Sequence, residues 1–201
     1  MRMISEDQRN TNSKTTVLYN PAWKKGVIGI VASRLIETYY RPTVILTESN
    51  GFATGSARSV QGYDLYQAIE ACSDLLESFG GHMFAAGLTL KKENIQPFIE
   101  RFEQYVKSTI TEDQLVPRIF IDTELSFSEI NEEFFRVMSQ FQPFGPENMS
   151  PVFVSKNVYD TGTGRMVGSN GEHLKLDLCQ ESSAMKSVPA IGFNLANHFE
   201  Y

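Results

Sequence analysis

The stretch TGSARS at residues 54–59 sets Ser56 and Arg58 two positions apart, a spacing that in a strand puts both side chains on one face. A hydroxyl donor beside a forked guanidinium can hold the oxygens of a phosphate. The same pair would equally serve as a turn-satisfying serine next to a surface ion-pairing arginine, and both readings stay open. Gly80-Gly81-His82 is a second group. Two glycines permit positive φ and close backbone approach, turning amides toward an anion, while the imidazole can donate to a phosphate or a sugar. Glycines past a helix are also common C-caps, and the tripeptide is read here as the stop of the preceding helix as well. Third, Trp23, Lys24, Lys25 and Gly26 lie at the start of an apolar-periodic segment. A helix N-terminus with two ammonium groups suits an anion and an indole offers a stacking face, although a half-buried tryptophan with solvated lysines fits the same residues. Arg34, inside that helical segment, reads as a structural or interfacial cation.

No self-contained catalytic centre accompanies these groups. The chain has no Gly-x-x-x-x-Gly-Lys-Ser loop, no His-Glu-x-x-His helix and no Gly-x-Ser-x-Gly elbow. Its histidines, His82, His173 and His198, are scattered without clustered aspartates, which argues against a two-metal site built from this chain. With 18 basic against 24 acidic side chains the net charge is −6, so no global field draws the protein to nucleic acid and any anion binding must be local. Cys72 and Cys179 stand far apart, and no signal peptide or bilayer-length apolar run is apparent. A reducing, cytoplasmic setting with no membrane association is the expectation.

The elements that must position these residues follow from the pattern. Residues 1–14 are polar and aperiodic and read as a flexible tail. A short β-branched run then ends at Asn20-Pro21, followed by a helix from Gly26 with apolar residues at Val27, Ile30, Val31, Leu35 and Ile36. TVILTE and FATGSARSV form a hairpin across Ser49-Asn50-Gly51. Asp64, with Gln67 at capping-box spacing, opens a helix through LYQAIEACSDLLESF, FAAGLTLK alternates as a strand, and Asn94 caps a last amphipathic helix. Strands alternating with helices predict an α/β domain with a central mixed sheet over residues 15–109. Residues 110–150 read as a linker strand and helix, with Ser126 and Glu129 as a capping box, and residues 151–201 as a mostly β, OB-like domain that looks incomplete.

GVIGIVASRLIETYYRPTVIL, GSARSV and GGHMFAAGLTL, in this order and spacing, resemble the DHHA1 domain of the DHH phosphoesterase superfamily, nearest to its bacterial single-strand-specific DNA exonucleases. PFGPENMSPVF resembles the linker motif after DHHA1 in those enzymes, and EHLKLDL with VPAIGF resembles the start of their OB domain. The resemblance implies the substrate-binding, C-terminal portion of a 5′-3′ exonuclease of DNA repair and recombination. It also implies single-stranded DNA and a separate DHH domain as partners, with single-strand-binding protein as a further one. Manganese or magnesium would belong to the DHH domain, which this sequence lacks; no metal ligand and no catalytic residue is expected in this chain, and alone it is expected to be inactive. By the same resemblance Ser56 and Arg58 take a terminal 5′ phosphate, and Gly80, Gly81 and His82 a phosphate or nucleotide. Trp23, Lys24, Lys25, Gly26 and Arg34 rank behind them. Lys24 departs from the histidine of the family's Trp-His-x-Gly start, keeping a donor but losing a titratable ring. Phe153, Tyr159 and Phe193 are candidates for base stacking or for core. Oligoribonucleases and cyclic-dinucleotide phosphodiesterases of the superfamily, a non-catalytic nucleic-acid-binding module, and an alanyl-tRNA-synthetase appendage are the alternatives.

Overall fold

The computed structural model describes residues 13–145, 147–181 and 187–199, so most of the expected N-terminal tail lies outside the described residues. Its last two residues are tied down. Arg41 Nη1 donates to the Ser13 carbonyl at 2.6 Å, and the Lys14 N–H donates to Glu103 at 3.0 Å. The chain divides into two compact units at Pro117 and Arg118, inside the stretch read as a linker.

The first unit is a five-stranded mixed sheet between helices. Strand β1 (Thr16–Tyr19) runs parallel to β2 (Thr43–Ser49), and the crossover between them is helix α1 (Ile28–Tyr39). Strands β3 (Phe52–Arg58), β4 (Leu76–His82) and β5 (Ala85–Leu90) add antiparallel neighbours in the order β1-β2-β3-β5-β4. The β2–β3 hairpin closes through Asn50 and Gly51, at φ 52° and 83°; an Asn-Gly pair with both residues at positive φ matches the twist of antiparallel strands. The sheet alternates as a two-sided layer must. Ile45 meets Ile28, Ala32 and Leu35 of α1, while Val44 and Leu46 face the larger cluster. That cluster contains Leu65, Ala68 and Ile69 of α2 (Leu65–Glu70) and Phe98, Phe102 and Val106 of α3 (Ile95–Thr109).

Several local signals give way to tertiary ones. Helix α1 begins at Ile28, two residues after Gly26, and Val27 at its N-cap supplies no side-chain cap. Tyr40 ends it in the left-handed region, its N–H donating to the Ile36 carbonyl at 2.8 Å. Asp64 does cap α2, accepting from the Gln67 N–H at 3.3 Å. Asn94 does not cap α3; its amide donates instead to the Leu75 carbonyl at 2.9 Å. The expected long helix through Phe79 stops at Glu70, and the residues from Leu76 onward form β4. Leu76 and Glu77 are good helix formers, but the edge ladder with β5, irregular only between Leu76 and Ser78, overrides that preference.

The second unit is mostly β. Strands β6 (Thr123–Glu124) and β7 (Phe153–Val154) pair in parallel. Strands β8 (Val158–Asp160), β9 (Arg165–Val167) and β11 (Val188–Gly192) all pair antiparallel with β10 (His173–Gln180). The run PRIFIDTEL thus contributes only two strand residues. The Ser126–Glu129 box closes a turn, with the Ser126 N–H donating to Glu129 at 2.7 Å. Asn131 is the true cap of α4 (Glu132–Ser139), accepting from the Phe134 N–H at 3.0 Å. Spacing alone cannot separate the two, because a serine three residues before a glutamate closes a turn as readily as a helix. Asp160 locks the β8–β10 corner, accepting from the backbone N–H of Gly162 at 2.8 Å, Gly164 at 3.0 Å and Asp177 at 3.0 Å.

Phe98 and Phe102 stack at 5.5 Å between centroids and are fully buried. Phe102→Ala should therefore cost about 3–5 kcal/mol in urea unfolding, the range for deleting a core phenyl ring. Burial pushes the Cys72 thiol up to about 11, and only the thiolate is a good nucleophile. Cys72 should resist alkylation at neutral pH until denaturant is added, which thiol titration reads directly.

Candidate functional site

The register of three strands assembles the site. Ser56 lies opposite Gly87, and Gly87 opposite Gly80; Arg58 lies opposite Ala85, and Ala85 opposite His82. Directly opposed residues share a sheet face, and Ser56 is also opposite Ile45, which points at α1. Ser56, Arg58 and His82 therefore project from the α1 face. Arg58 and His82 are two strands apart, about 10 Å at the usual strand spacing. Between them Gly87, Gly80 and Ala85 make a low floor, and a Cβ added at Gly80 would meet nothing within 4 Å. The floor is open to solvent.

One side of the floor is walled by the first turn of α1. An added Cβ at Gly29 would come within 2.9 Å of Arg58 Nη2 and 3.1 Å of Ser56 Oγ, so glycine is what lets the guanidinium approach the helix. Arg58 Nη1 donates to Ser56 Oγ at 2.9 Å and to the Ala57 carbonyl at 2.8 Å. No carboxylate among the described residues pairs with Arg58. This is an unusual place for a lone cation, since the N-terminal end of a helix carries partial positive charge and its first amides have no intrahelical acceptor. Guanidinium, serine hydroxyl and helix amides together present donors to an anion, and an anion relieves their mutual repulsion.

His82 completes the opposite edge. Its Nδ1 accepts the Phe84 N–H at 3.3 Å, which in the neutral ring leaves the proton on Nε2 as an exposed donor. Gly80 and Gly81 belong to β4 and do not stop a helix. Gly81 has φ 150°, and a Cβ there would lie 2.2 Å from the Ala85 carbonyl oxygen and 2.5 Å from Ala86 Cα. Gly81 thus permits close packing of the strand that carries His82.

The lower-ranked residues separate. Trp23 is half-buried against the Ile28, Ala32, Leu35 and Ile45 cluster, and its carbonyl accepts the Thr47 hydroxyl at 2.6 Å. Lys24 and Lys25 are exposed on the turn entering α1, with no ion pair among the described residues. A Cβ at Gly26 would meet nothing, so that glycine is not required by contact. Arg34 faces solvent and pairs with Glu37 at 2.8 Å, away from the floor. Sequence reasoning missed Gly29; its only signal was a glycine in the first turn of an otherwise apolar helix.

In the second unit Tyr159 lies opposite Cys179, and Lys175 opposite both Arg165 and Ile191. Tyr159 is 55% exposed and Phe193, edge-on to His173 at 5.3 Å, is 69% exposed. Phe153 instead packs edge-on against Phe134 of α4 at 5.3 Å, beside a mostly apolar cavity of about 630 Å³. Among the described residues no three His, Cys, Asp or Glu side chains gather as a metal ion would need. No helix among them is long and apolar enough to cross a membrane.

Gly81→Ala is expected to destabilise the first unit by at least 2 kcal/mol, on the order expected for a forced positive φ combined with a backbone clash. Urea unfolding of the chain checks it, and Gly80→Ala, into open space, should cost well under half as much.

With this geometry in place, comparisons with known proteins are specific. Residues 12–108 match the DHHA1 domain and residues 121–201 the RecJ OB domain. Over 190 residues the chain is 35% identical to the single-stranded-DNA-specific exonuclease RecJ of Bacillus subtilis, covering 94% of this chain and 24% of that protein. It is 33% identical to the Haemophilus influenzae enzyme of the same name over 89% of this chain and 31% of that one. The crystal structure of RecJ from Thermus thermophilus in complex with Mg²⁺ superposes with a TM-score of 0.74 at 26% identity, covering 96% of this chain and 28% of that chain. The chain thus spans about a quarter to a third of the length of these relatives.

Proposed function

Since the chain belongs to the RecJ family and carries its DHHA1 and OB domains, we propose that it is the strand-holding portion of a single-stranded-DNA-specific 5′-3′ exonuclease acting in DNA repair and recombination. The observation that carries this reading is Arg58, a half-buried guanidinium without a carboxylate partner among the described residues, set against Ser56 and the first turn of α1. That constellation fits the doubly charged terminal phosphate better than a backbone diester. Ser56, Arg58 and the α1 amides hold the 5′ phosphate, and His82 Nε2 donates to the same nucleotide from across the glycine floor. Lys24 and Lys25 add local positive potential to a chain whose net charge is −6.

The manganese or magnesium that the family resemblance implies finds no donor set among the described residues. We assign this chain the holding and orienting of the end, with hydrolysis in the DHH domain that the family resemblance implies for the full-length protein. Fixing the strand end against a separate reactive centre is a contribution of position, where errors near 1 Å cost on the order of a hundredfold in rate. In the OB unit, exposed Tyr159 and Phe193 with Lys175 and Arg165 on the same sheet supply rings and cations for the strand beyond its end. Single-strand-binding protein is a proposed further partner.

The test is an enzyme assembled from this chain and a DHH catalytic domain, assayed on single-stranded DNA with 5′-phosphate or 5′-hydroxyl ends. Arg58→Ala should reduce kcat/KM on the phosphorylated strand by roughly 30-fold, about 2 kcal/mol for a charge-assisted hydrogen bond, and largely abolish the preference for phosphate. Arg58→Lys should recover only part of it, because an ammonium lacks the fork. An undiminished phosphate preference in Arg58→Ala would overturn the assignment.

A further inference from the structure

The hairpin between β4 and β5 turns on Met83 and Phe84, an odd choice of residues. His82 and Ala85 are directly paired, so the loop has only two residues. Such loops favour Gly, Asn or Asp at positive φ, yet neither Met83 nor Phe84 is among the residues at positive φ. Both are large, apolar and uncovered, at 38% and 50% exposure. Packing does not explain the ring of Phe84, and turn chemistry argues against it.

The backbone of this turn is nevertheless pinned from two sides. The Leu65 N–H, at the start of α2, donates to the Met83 carbonyl at 3.1 Å, and the Ser59 N–H, directly after Arg58, donates to the Phe84 carbonyl at 3.0 Å. The Phe84 N–H is held by His82 Nδ1, and the two rings meet edge to face at 6.0 Å. Phe84 is also next in the chain to Ala85, the residue paired with Arg58. An exposed aromatic ring is thus fixed at the rim of the floor, one residue from the row that joins Arg58 to His82.

We propose that Phe84 is the stacking surface for the base of the 5′-terminal nucleotide, so that the site reads the terminal residue as phosphate plus base. The proposal rests on the phosphate reading of Ser56 and Arg58. A phenyl face accepts any base with little sequence preference, as suits an enzyme that must take every nucleotide in turn. Its rigid backbone removes most of the ordering cost that a mobile loop aromatic would carry. Bases stacked on aromatic side chains lose affinity by roughly tenfold when the ring is removed.

The experiment uses the same assembled enzyme and 5′-phosphorylated single strands whose terminal nucleotide is either a normal thymidine or an abasic residue. The unaltered enzyme is expected to prefer the thymidine end by about tenfold in kcat/KM, Phe84→Trp to keep that preference, and Phe84→Ala to lose it while handling the abasic strand normally. Because Phe84 is exposed, these variants should fold, and unchanged urea midpoints verify it. A tenfold preference surviving in Phe84→Ala overturns the proposal, as does Phe84→Leu behaving like the unaltered enzyme, which would reduce the ring to plain apolar cover. The two readings fail separately. Loss of phosphate preference in Arg58→Ala with base preference intact in Phe84→Ala removes the stacking role and leaves the phosphate floor. The opposite pattern removes the floor.

Discussion

The antiparallel pairing of β5 between β3 and β4 is the constraint on which the first unit depends. A one-residue slip would turn Ser56, Arg58 and His82 to the α2 and α3 side and bring Ala57 and Ala86 out of the core. The hydrophobic alternation that buries Ala57, Ala86 and Leu88 therefore sets the polar row at the same time. Core packing and site geometry are two faces of one register, which is why the site can remain open to solvent without being loosely built.

Small residues do different work at different points in that frame. Gly29 leaves room for a guanidinium against a helix end, Gly81 lets β4 close onto Ala85 and Ala86, and Gly80 and Gly87 simply keep the floor low. The first two are steric requirements with a named atom in the way. The others shape a surface on which a ligand backbone can lie. The resulting local charge is positive in a chain that is acidic overall, so on the proposed reading an anion would be selected by placement and not by a global field.

The second unit follows a different economy. Apart from Leu174, the large apolar side chains among its described residues are at least partly exposed, and its turns are held by polar locks. The buried Gln180 side chain accepts the Phe127 N–H at 2.8 Å and donates to the Lys156 carbonyl at 2.9 Å, tying three segments through one amide. Short strands with several such locks leave rings such as Tyr159 and Phe193 on the surface.

Much of this was legible in the order of residues. The Asn-Gly hairpin, the Asp64 cap, the apolar stripe of α3 and the placement of Ser56 and Arg58 on one strand face are local consequences of residue type and period, whereas the α1 stripe was misplaced: Val27, Ile30 and Val31 are exposed, and Ile28, Ala32 and Leu35 pack against the sheet. The family resemblance is likewise carried by ordered motifs that need no coordinates. Tertiary structure decided what local signals could not weigh. Leu76 to Phe79 became strand because β5 offered a ladder to pair with, and Gly80-Gly81 became an edge-strand element in place of a helix stop. Asn94 gave up its cap for a carbonyl nineteen residues away. Arg58 met the end of α1 only because the β1–α1–β2 crossover lays Gly29 over β3, and Trp23 went to the core while Arg34 turned to solvent. Each of these depends on a partner distant in sequence, and a hydrogen bond or steric contact acquires its energy only once the chain has brought that partner near.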